Sequence, residues 1–340
     1  MFEVLNKDVK EKRKFKTVDI VKRKLVITSD RIYLKGHPAA KPATIFNPSL
    51  TVEGDEVILY ARIILGYYTY SSAVAQISLP LNDIYSSKTD SYDAEIKVYP
   101  DCKYDYWGVE DPRVYDVDGK RLMTYCGRTV NYFNPTIKHE RTLPVTAIYD
   151  KEKWKKILVF RLPEKLTDYV ISDKDAFLIK KKGLFLFHRL HLTDEKFYLT
   201  ASKIRDDIET KKLKEIRVSD TVAVFEPADF EQKIGWATPP IKVGRESLIF
   251  LHGVDRETQC YRVFAVLMDG VRVTAVTPYY IMAPKEIYEV YGDRPHVVFP
   301  CGAQKIDDKV LISYGATDSV IGIGEVDFTE IMSILDENRL

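Results

Sequence analysis

Glu110-Asp111-Pro112-Arg113-Val114-Tyr115-Asp116-Val117-Asp118-Gly119-Lys120-Arg121-Leu122-Met123-Thr124-Tyr125 is the stretch on which the fold turns. Two short runs in it, Arg113 to Tyr115 and Leu122 to Tyr125, flank Asp118-Gly119. Asp-Gly favours a two-residue hairpin turn, because such turns need positive φ at both central positions. The flanking runs carry the β-branched and aromatic side chains that fit a pleated surface. The unit recurs downstream. Ala176 to Ile179 and Leu184 to Phe187 flank Lys182-Gly183, and Leu248 to Leu251 leads into Tyr261 to Met268 before Asp269-Gly270. Val297 to Pro300 and Val310 to Tyr314 bracket Asp307-Asp308, with Ile321 to Val326 beyond. Upstream, Val57 to Arg62 and Ser72 to Ile77 also read as strands.

Many short strands with few convincing helices, and no composition break over nearly 300 residues, predict a closed all-β architecture rather than two linked domains. A β-propeller of roughly 60 residues per blade fits this spacing, although no clean repeat fixes the number of blades. The expected organisation is a lysine-rich N-terminal extension over 1–43 that packs on the main body, a propeller over 44–327 and a C-terminal helix over 328–340. That helix is expected from Ile331, Met332, Ile334 and Leu335, which fall on one side.

Lysine plus arginine number 51 against 50 aspartates and glutamates, so no global field favours nucleic acid or an anionic membrane. An anion site must be local. Met1-Phe2-Glu3-Val4-Leu5 turns charged at once, and no later apolar run reaches membrane-spanning length, so a cytoplasmic protein is expected. Cys102, Cys126, Cys260 and Cys301 lack zinc-ligand spacing, which predicts neither a structural metal nor a disulfide framework. Tyrosines number 22, and such enrichment suits both strand packing, the commoner use, and sugar-stacking surfaces.

Glu110-Asp111-Pro112-Arg113 follows Tyr104, Tyr106 and Trp107 and precedes the hairpin, which predicts a loop-to-strand junction where sites are commonly built. Asp111 is its candidate catalytic acid. Asn47-Pro48-Ser49 and Arg62 form a second polar set suited to sugar hydroxyls. Lys174-Asp175, His188-Arg189, Lys233-Ile234-Gly235 and His252-Gly253 form a third, each beside an apolar strand or a Gly/Pro-rich loop. Phosphate needs several charge-assisted donors, and these side chains supply them. Near the C-terminus, Tyr288-Glu289, Phe299-Pro300-Cys301-Gly302 and Tyr314-Gly315-Ala316-Thr317-Asp318 alternate apolar strand, glycine and acid.

Taken in order, together with Pro239-Pro240-Ile241 and His252-Gly253-Val254, these motifs resemble the β-mannoside phosphorylases of glycoside hydrolase family 130 across roughly residues 44–327. The resemblance implies a five-bladed β-propeller with the site in its central cavity. It implies phosphorolysis of a β-mannoside, of β-1,4-mannosyl oligosaccharide or mannosyl-glucose type, to α-mannose 1-phosphate with inversion. Asp111 then matches the general acid, acting through the mannosyl 3-hydroxyl. Lys174, Arg189, Lys233, His252 and, more weakly, Tyr261 match the phosphate site. Asn47, Ser49, Arg62, Glu110, Arg113, Asp175, Glu289 and Asp318 are the expected substrate-binding set.

No metal or organic cofactor is implied; inorganic phosphate is the co-substrate, the partner is a small carbohydrate, and homo-oligomerisation is left open. Leu190 stands where proline is common in the family and Trp236 interrupts a glycine-rich stretch, differences assigned to acceptor preference. The alternatives are a β-mannoside hydrolase on the same fold, which needs a second carboxylate to activate water, and a non-catalytic sugar-binding propeller.

Overall fold

A computed structural model describes residues 2–86, 90–205, 208 and 212–340. The chain forms five mainly antiparallel sheets arranged as the blades of a five-bladed β-propeller. Blade 1 runs through Thr44–Glu53, Glu56–Ile64, Ser72–Pro80 and Tyr92–Val98, and blade 2 through Val109–Val117, Lys120–Arg128, Thr142–Asp150 and Lys153–Arg161. Blade 3 comprises Val170–Lys180, Leu184–Leu192, Phe197–Ile204 and Ser219–Phe225. Blade 4 comprises Glu231–Trp236, Glu246–Asp255, Tyr261–Asp269 and Arg272–Val276. Blade 5 has Val298–Ile306, Lys309–Ala316 and Val320–Asp327, and its outer strand is Lys22–Ile27.

That outer strand changes the reading of residues 1–43. Lys22–Ile27 pairs antiparallel with Val320–Asp327, so the N-terminal segment closes the ring instead of only resting on it. Ile32–Lys35 adds a parallel edge strand to blade 1. Arg13 is buried, donating to the Thr277 carbonyl at 2.8 Å and to Glu231 at 3.1 Å, and its guanidinium lies 3.8 Å from the Phe264 ring centre. Alternating basic and apolar residues gave this segment a loose pattern because its apolar side chains fill gaps between different blades. The C-terminal helix spans Phe328–Asp336, with Asp327 accepting from the Glu330 amide and Ile331 and Leu335 buried. No described helix is long and apolar enough to cross a membrane.

The hairpin turns behave as the sequence predicts. Asp118 and Gly119 both have positive φ, 51° and 72°, as a two-residue turn between twisted strands requires. Apolar faces pack between neighbouring blades. The largest core joins blades 2, 3 and 4 through Phe177, Phe187, Phe225, Trp236 and Phe264. Phe177 stacks on Phe187 at 5.7 Å, a contact worth about 0.5–1.5 kcal/mol beyond its buried area. Trp236 and Leu190, expected to bear on acceptor preference, are buried in this core. Burial between blades leaves the axis for polar side chains.

Every inner strand carries a register shift. Register shifts fall at Phe46/Ser49, Glu110/Arg113, Lys174/Phe177, Glu231/Lys233 and Pro300/Gly302. In blades 1 to 3 the bulge centres on Asn47, Asp111 and Asp175, whose φ values are 47°, 51° and 57°. These residues follow one another at 64-residue intervals. Asn and Asp are the non-glycine residues that best tolerate this left-handed geometry, and a bulge re-aims side chains. The structure therefore places Glu110 to Arg113 in the first residues of the strand Val109–Val117, just past the loop-to-strand junction, as a bulge.

Candidate active site

The bulges surround an axial cavity of about 470 Å³. Five cationic side chains line it, Arg62, Lys174, Arg189, Lys233 and Arg294, together with four carboxylates, Glu110, Asp111, Asp175 and Asp318. Asp111 is fixed from two sides: Asn47 Nδ2 donates to its Oδ1 at 2.8 Å and Arg62 Nη1 at 3.2 Å. Gly315 makes room for this arrangement, since a Cβ there would lie 1.8 Å from Asn47 Oδ1. Among the described residues, Asn47 Oδ1, Arg62 Nε, Arg128 Nη1 and both ring nitrogens of His252 are buried without a hydrogen-bond partner. Such groups are rare in folded proteins and their concentration marks a place built for a ligand.

Two of the carboxylates serve as anchors. Glu110 accepts from Arg62 at 3.0 Å, Lys174 at 3.1 Å and the Tyr132 hydroxyl at 2.9 Å, with Arg128 at 3.6 Å. Burial alone would raise its pKa, but Arg62, Lys174 and Arg128 outweigh that and hold it well below the usual carboxylate range. Asp175 likewise stays ionised despite burial, held down by Arg189 and Arg113. It accepts from Arg189 Nε and, at 3.3 Å, from Arg113 Nη2. Gly235 permits this packing: a Cβ there would meet the His252 ring at 2.3 Å and Asp175 Oδ2 at 2.5 Å.

A cationic wall stands opposite. Lys233 lies 5.0 Å from the Phe197 ring centre and 5.3 Å from that of Tyr261. Arg294 donates to the Tyr261 hydroxyl at 2.9 Å. Among the described residues neither Lys233 nor Arg294 has a carboxylate at ion-pair distance. Burial lowers the Lys233 pKa, with Arg189 and Arg294 adding to the effect. Burial should raise the Tyr261 phenol, yet Lys233, Arg294 and Arg189 together bring it below its ordinary value. The potential on this side therefore favours an anion.

The structure brings together Asn47, Arg62, Glu110, Asp111, Lys174, Asp175, Arg189, Lys233, Tyr261 and Asp318. Four expected residues lie elsewhere. Ser49 is buried and accepts the Val114 amide at 2.8 Å, tying blade 1 to blade 2. Glu289 is buried against Arg23 at 2.9 Å and the Tyr314 hydroxyl at 2.8 Å, so it anchors the N-terminal segment and does not line the cavity. Arg113 is 1% exposed and directs its donors to the carbonyls of Asp111, Trp236 and Ala237 and to Asp175. It positions the Asp111 bulge. His252 sits one layer behind the wall against Phe299, at 4.7 Å between ring centres. Burial, reinforced by Arg189, Lys233 and Arg113, outweighs Asp175 and pushes its pKa down to about 3, so its ring is neutral.

His188 also turns away from the cavity, bonding Asp173 at 2.8 Å and Ser202 at 2.8 Å within blade 3. Sequence reading missed Tyr70, Tyr132, Arg128 and Arg294. The first two sit in loops without a motif, and only the 64-residue spacing of Asn47, Asp111 and Asp175 marks the shared level in the chain itself.

Comparison with known proteins agrees with this fold. A family model described as β-1,4-mannooligosaccharide phosphorylase, of glycoside hydrolase family 130, matches residues 11–337. A β-1,2-mannobiose phosphorylase of Thermoanaerobacter sp. (strain X514) is 28% identical over 311 residues, covering 86% of this chain and 93% of its own. A 1,2-β-oligomannan phosphorylase of the same organism is 27% identical over 66% of this chain and 70% of its own. The solved β-1,2-mannobiose phosphorylase of Listeria innocua, in complex with β-1,2-mannobiose, superposes with a TM-score of 0.72 at 18% identity, covering 94% and 99% of the two chains. A match that spans nearly the whole propeller, including every bulge that shapes the cavity, makes this chain a member of glycoside hydrolase family 130.

Proposed function

We propose that the protein cleaves a β-mannoside by phosphorolysis with inversion, giving α-mannose 1-phosphate and the shortened sugar. The observation that supports this most is the wall of Lys233, Arg294 and Arg189 around Tyr261, facing the same cavity as Asp111. A phosphate oxygen attacks the anomeric carbon and the bond to the leaving oxygen breaks. The proton of Asp111 passes through the mannosyl 3-hydroxyl to that oxygen. Phosphate arrives already anionic, so no second carboxylate has to act as base. Lys174 and Arg189 are anchored by Glu110 and Asp175, which presets their heads for the nucleophile. Arg62, Asn47 and Asp318 remain for the sugar.

The relatives that span most of this chain are named for β-1,2-linked substrates and the family model for β-1,4-linked ones. β-1,2-Mannobiose therefore heads the substrate panel, followed by β-1,4-mannobiose and β-1,4-mannosylglucose. Hydrolysis is the second reading, and Asp318 favours it. Burial raises this carboxyl to about 6, Arg62 and Arg294 opposing only in part, so near neutrality it could take a proton from water. The test is incubation of each disaccharide with and without phosphate, followed by ³¹P and ¹H NMR. Phosphorolysis gives α-mannose 1-phosphate only when phosphate is present. Equal release of mannose without phosphate would establish the hydrolase, and no cleavage of any panel member would refute both.

A further inference from the structure

The cavity and the depression at the other end of the first strand of blade 2 share no lining residue. Asp111 lines the cavity, whereas Val114 to Asp118 of the same strand line the depression at the opposite mouth, and the buried Arg113 lies between. Whatever follows the scissile bond then leaves by the outer mouth. Two loops flank that mouth, 65–71 in blade 1 and 129–141 in blade 2. Each places one aromatic in the cavity wall, Tyr70 and Tyr132. Each also holds aromatics outside it. Tyr68 is 84% exposed and Phe133 67%, and their rings lie 5.8 Å apart at 30°. Tyr67, half exposed, meets Tyr70 edge-on at 5.9 Å.

Beyond this rim, Leu65, Tyr67, Tyr68 and Tyr99 line a groove of about 970 Å³ on the outside of blade 1. Large aromatics exposed together are uncommon on a monomer surface and mark a binding site. Their flat, weakly polar faces suit the C–H faces of a pyranose, and His37, Lys35 and Glu95 along the groove supply partners for its hydroxyls.

We propose that the rim of Tyr67, Tyr68 and Phe133, with the groove beyond it, is a subsite for the sugars on the leaving side of the scissile bond. The substrate is then a β-linked oligosaccharide longer than two units. This rests on the axial cavity being the glycoside site. The ligand's non-reducing end enters the cavity, its first bond lies at Asp111, and the following residues cross the aromatic rim. The number of aromatic faces, more than any single hydrogen bond, sets the gain in affinity with chain length.

The test uses di-, tri- and tetrasaccharides of whichever β-mannosidic linkage the enzyme cleaves. In the wild type kcat/KM should rise with length. Tyr68→Ala and Phe133→Ala should each lower kcat/KM for the tetrasaccharide about tenfold more than for the disaccharide, the loss expected for one interface aromatic. Equal losses at every length, or no length dependence in the wild type, would overturn the subsite. So would sedimentation showing that the substitutions dissociate an oligomer while leaving length dependence intact, since the rim would then be a contact between copies of the chain. A binding arm needs no turnover: calorimetry of the same sugars with the Asp111→Asn protein, alone and combined with Tyr68→Ala. Binding that tightens with length and weakens in the double variant supports the subsite even if phosphorolysis itself is not observed. Length-independent binding there counts against it.

Discussion

Truncating Lys233 to alanine should separate binding of the nucleophile from folding. Lys233 is packed between Phe197 and Tyr261, and burial together with Arg189 and Arg294 lowers its pKa. Its charge is therefore held at a cost in free energy, with no carboxylate at ion-pair distance among the described residues. Removing one partner of a buried pair typically costs about 3–5 kcal/mol, because the other charge is left uncompensated. Here no anion is orphaned. Loss of the cation–π contacts, about 0.5–1 kcal/mol, and of the hydrogen bond with the Tyr261 hydroxyl is offset by relief of repulsion with Arg189 and Arg294, so stability should change by less than about 2 kcal/mol.

Phosphate, by contrast, loses a charge-assisted hydrogen bond worth about 1.5–3 kcal/mol. At 1.36 kcal/mol per decade this raises the KM for phosphate roughly 10- to 150-fold. Initial rates with phosphate varied at saturating mannoside, and the converse, read the two constants, and thermal unfolding reads stability. A mannoside KM that rises as much as the phosphate KM would refute the anion assignment. A loss of more than about 2 kcal/mol of stability would show that Lys233 has a structural partner.

Asp111→Asn should lose about 10²–10⁴ in kcat, the usual weight of a general acid. Its melting temperature should stay close to wild type, because Asn accepts the φ of 51° and keeps bonds to Asn47 and Arg62. Asp318→Asn tests the raised carboxyl. The folded protein keeps this proton to about pH 6, whereas the unfolded chain releases it near pH 4, so stability is lost as pH rises between those values. The variant should exceed wild type at pH 7 by on the order of 1 kcal/mol, allowing for the solvent this half-buried side chain still sees, with the difference vanishing by pH 4 in denaturant titrations.

Glu289→Gln removes one of the two carboxylates on Arg23, Asp19 at 2.7 Å being the other, and should cost about 1.5–3 kcal/mol of stability while both KM values hold. Arg23 and the Tyr314 hydroxyl keep the Glu289 pKa low against the opposing effect of burial. The carboxylate's contribution is therefore present above the unfolded value near 4.3 and lost as pH falls through the folded one, so the gap between variant and wild type should narrow on acidification.

The sequence by itself determined the strands, the turns and the order of the chemical motifs. Asp118-Gly119 specifies its hairpin because turn geometry is a property of neighbouring residues, and alternation along each strand records which face is buried. It also carried, unread, the 64-residue step from Asn47 to Asp111 to Asp175. What that step means emerges only when three bulges meet at one level of the axis. Residues 1–43 looked like an extension because a closing strand carries no local mark of its partner, which lies some 300 residues away at Val320–Asp327.

Tertiary structure alone decided which motif residues face the cavity. Arg113, Ser49 and Glu289 have the same chemistry as residues that bind ligands, yet their donors and acceptors go to carbonyls, an amide and Arg23. Whether a polar side chain serves a ligand or the fold depends on which groups are left unpaired after the blades close. Much of that pairing joins residues far apart in the chain, 48 for Arg62 with Glu110 and 266 for Arg23 with Glu289, at distances no local pattern encodes.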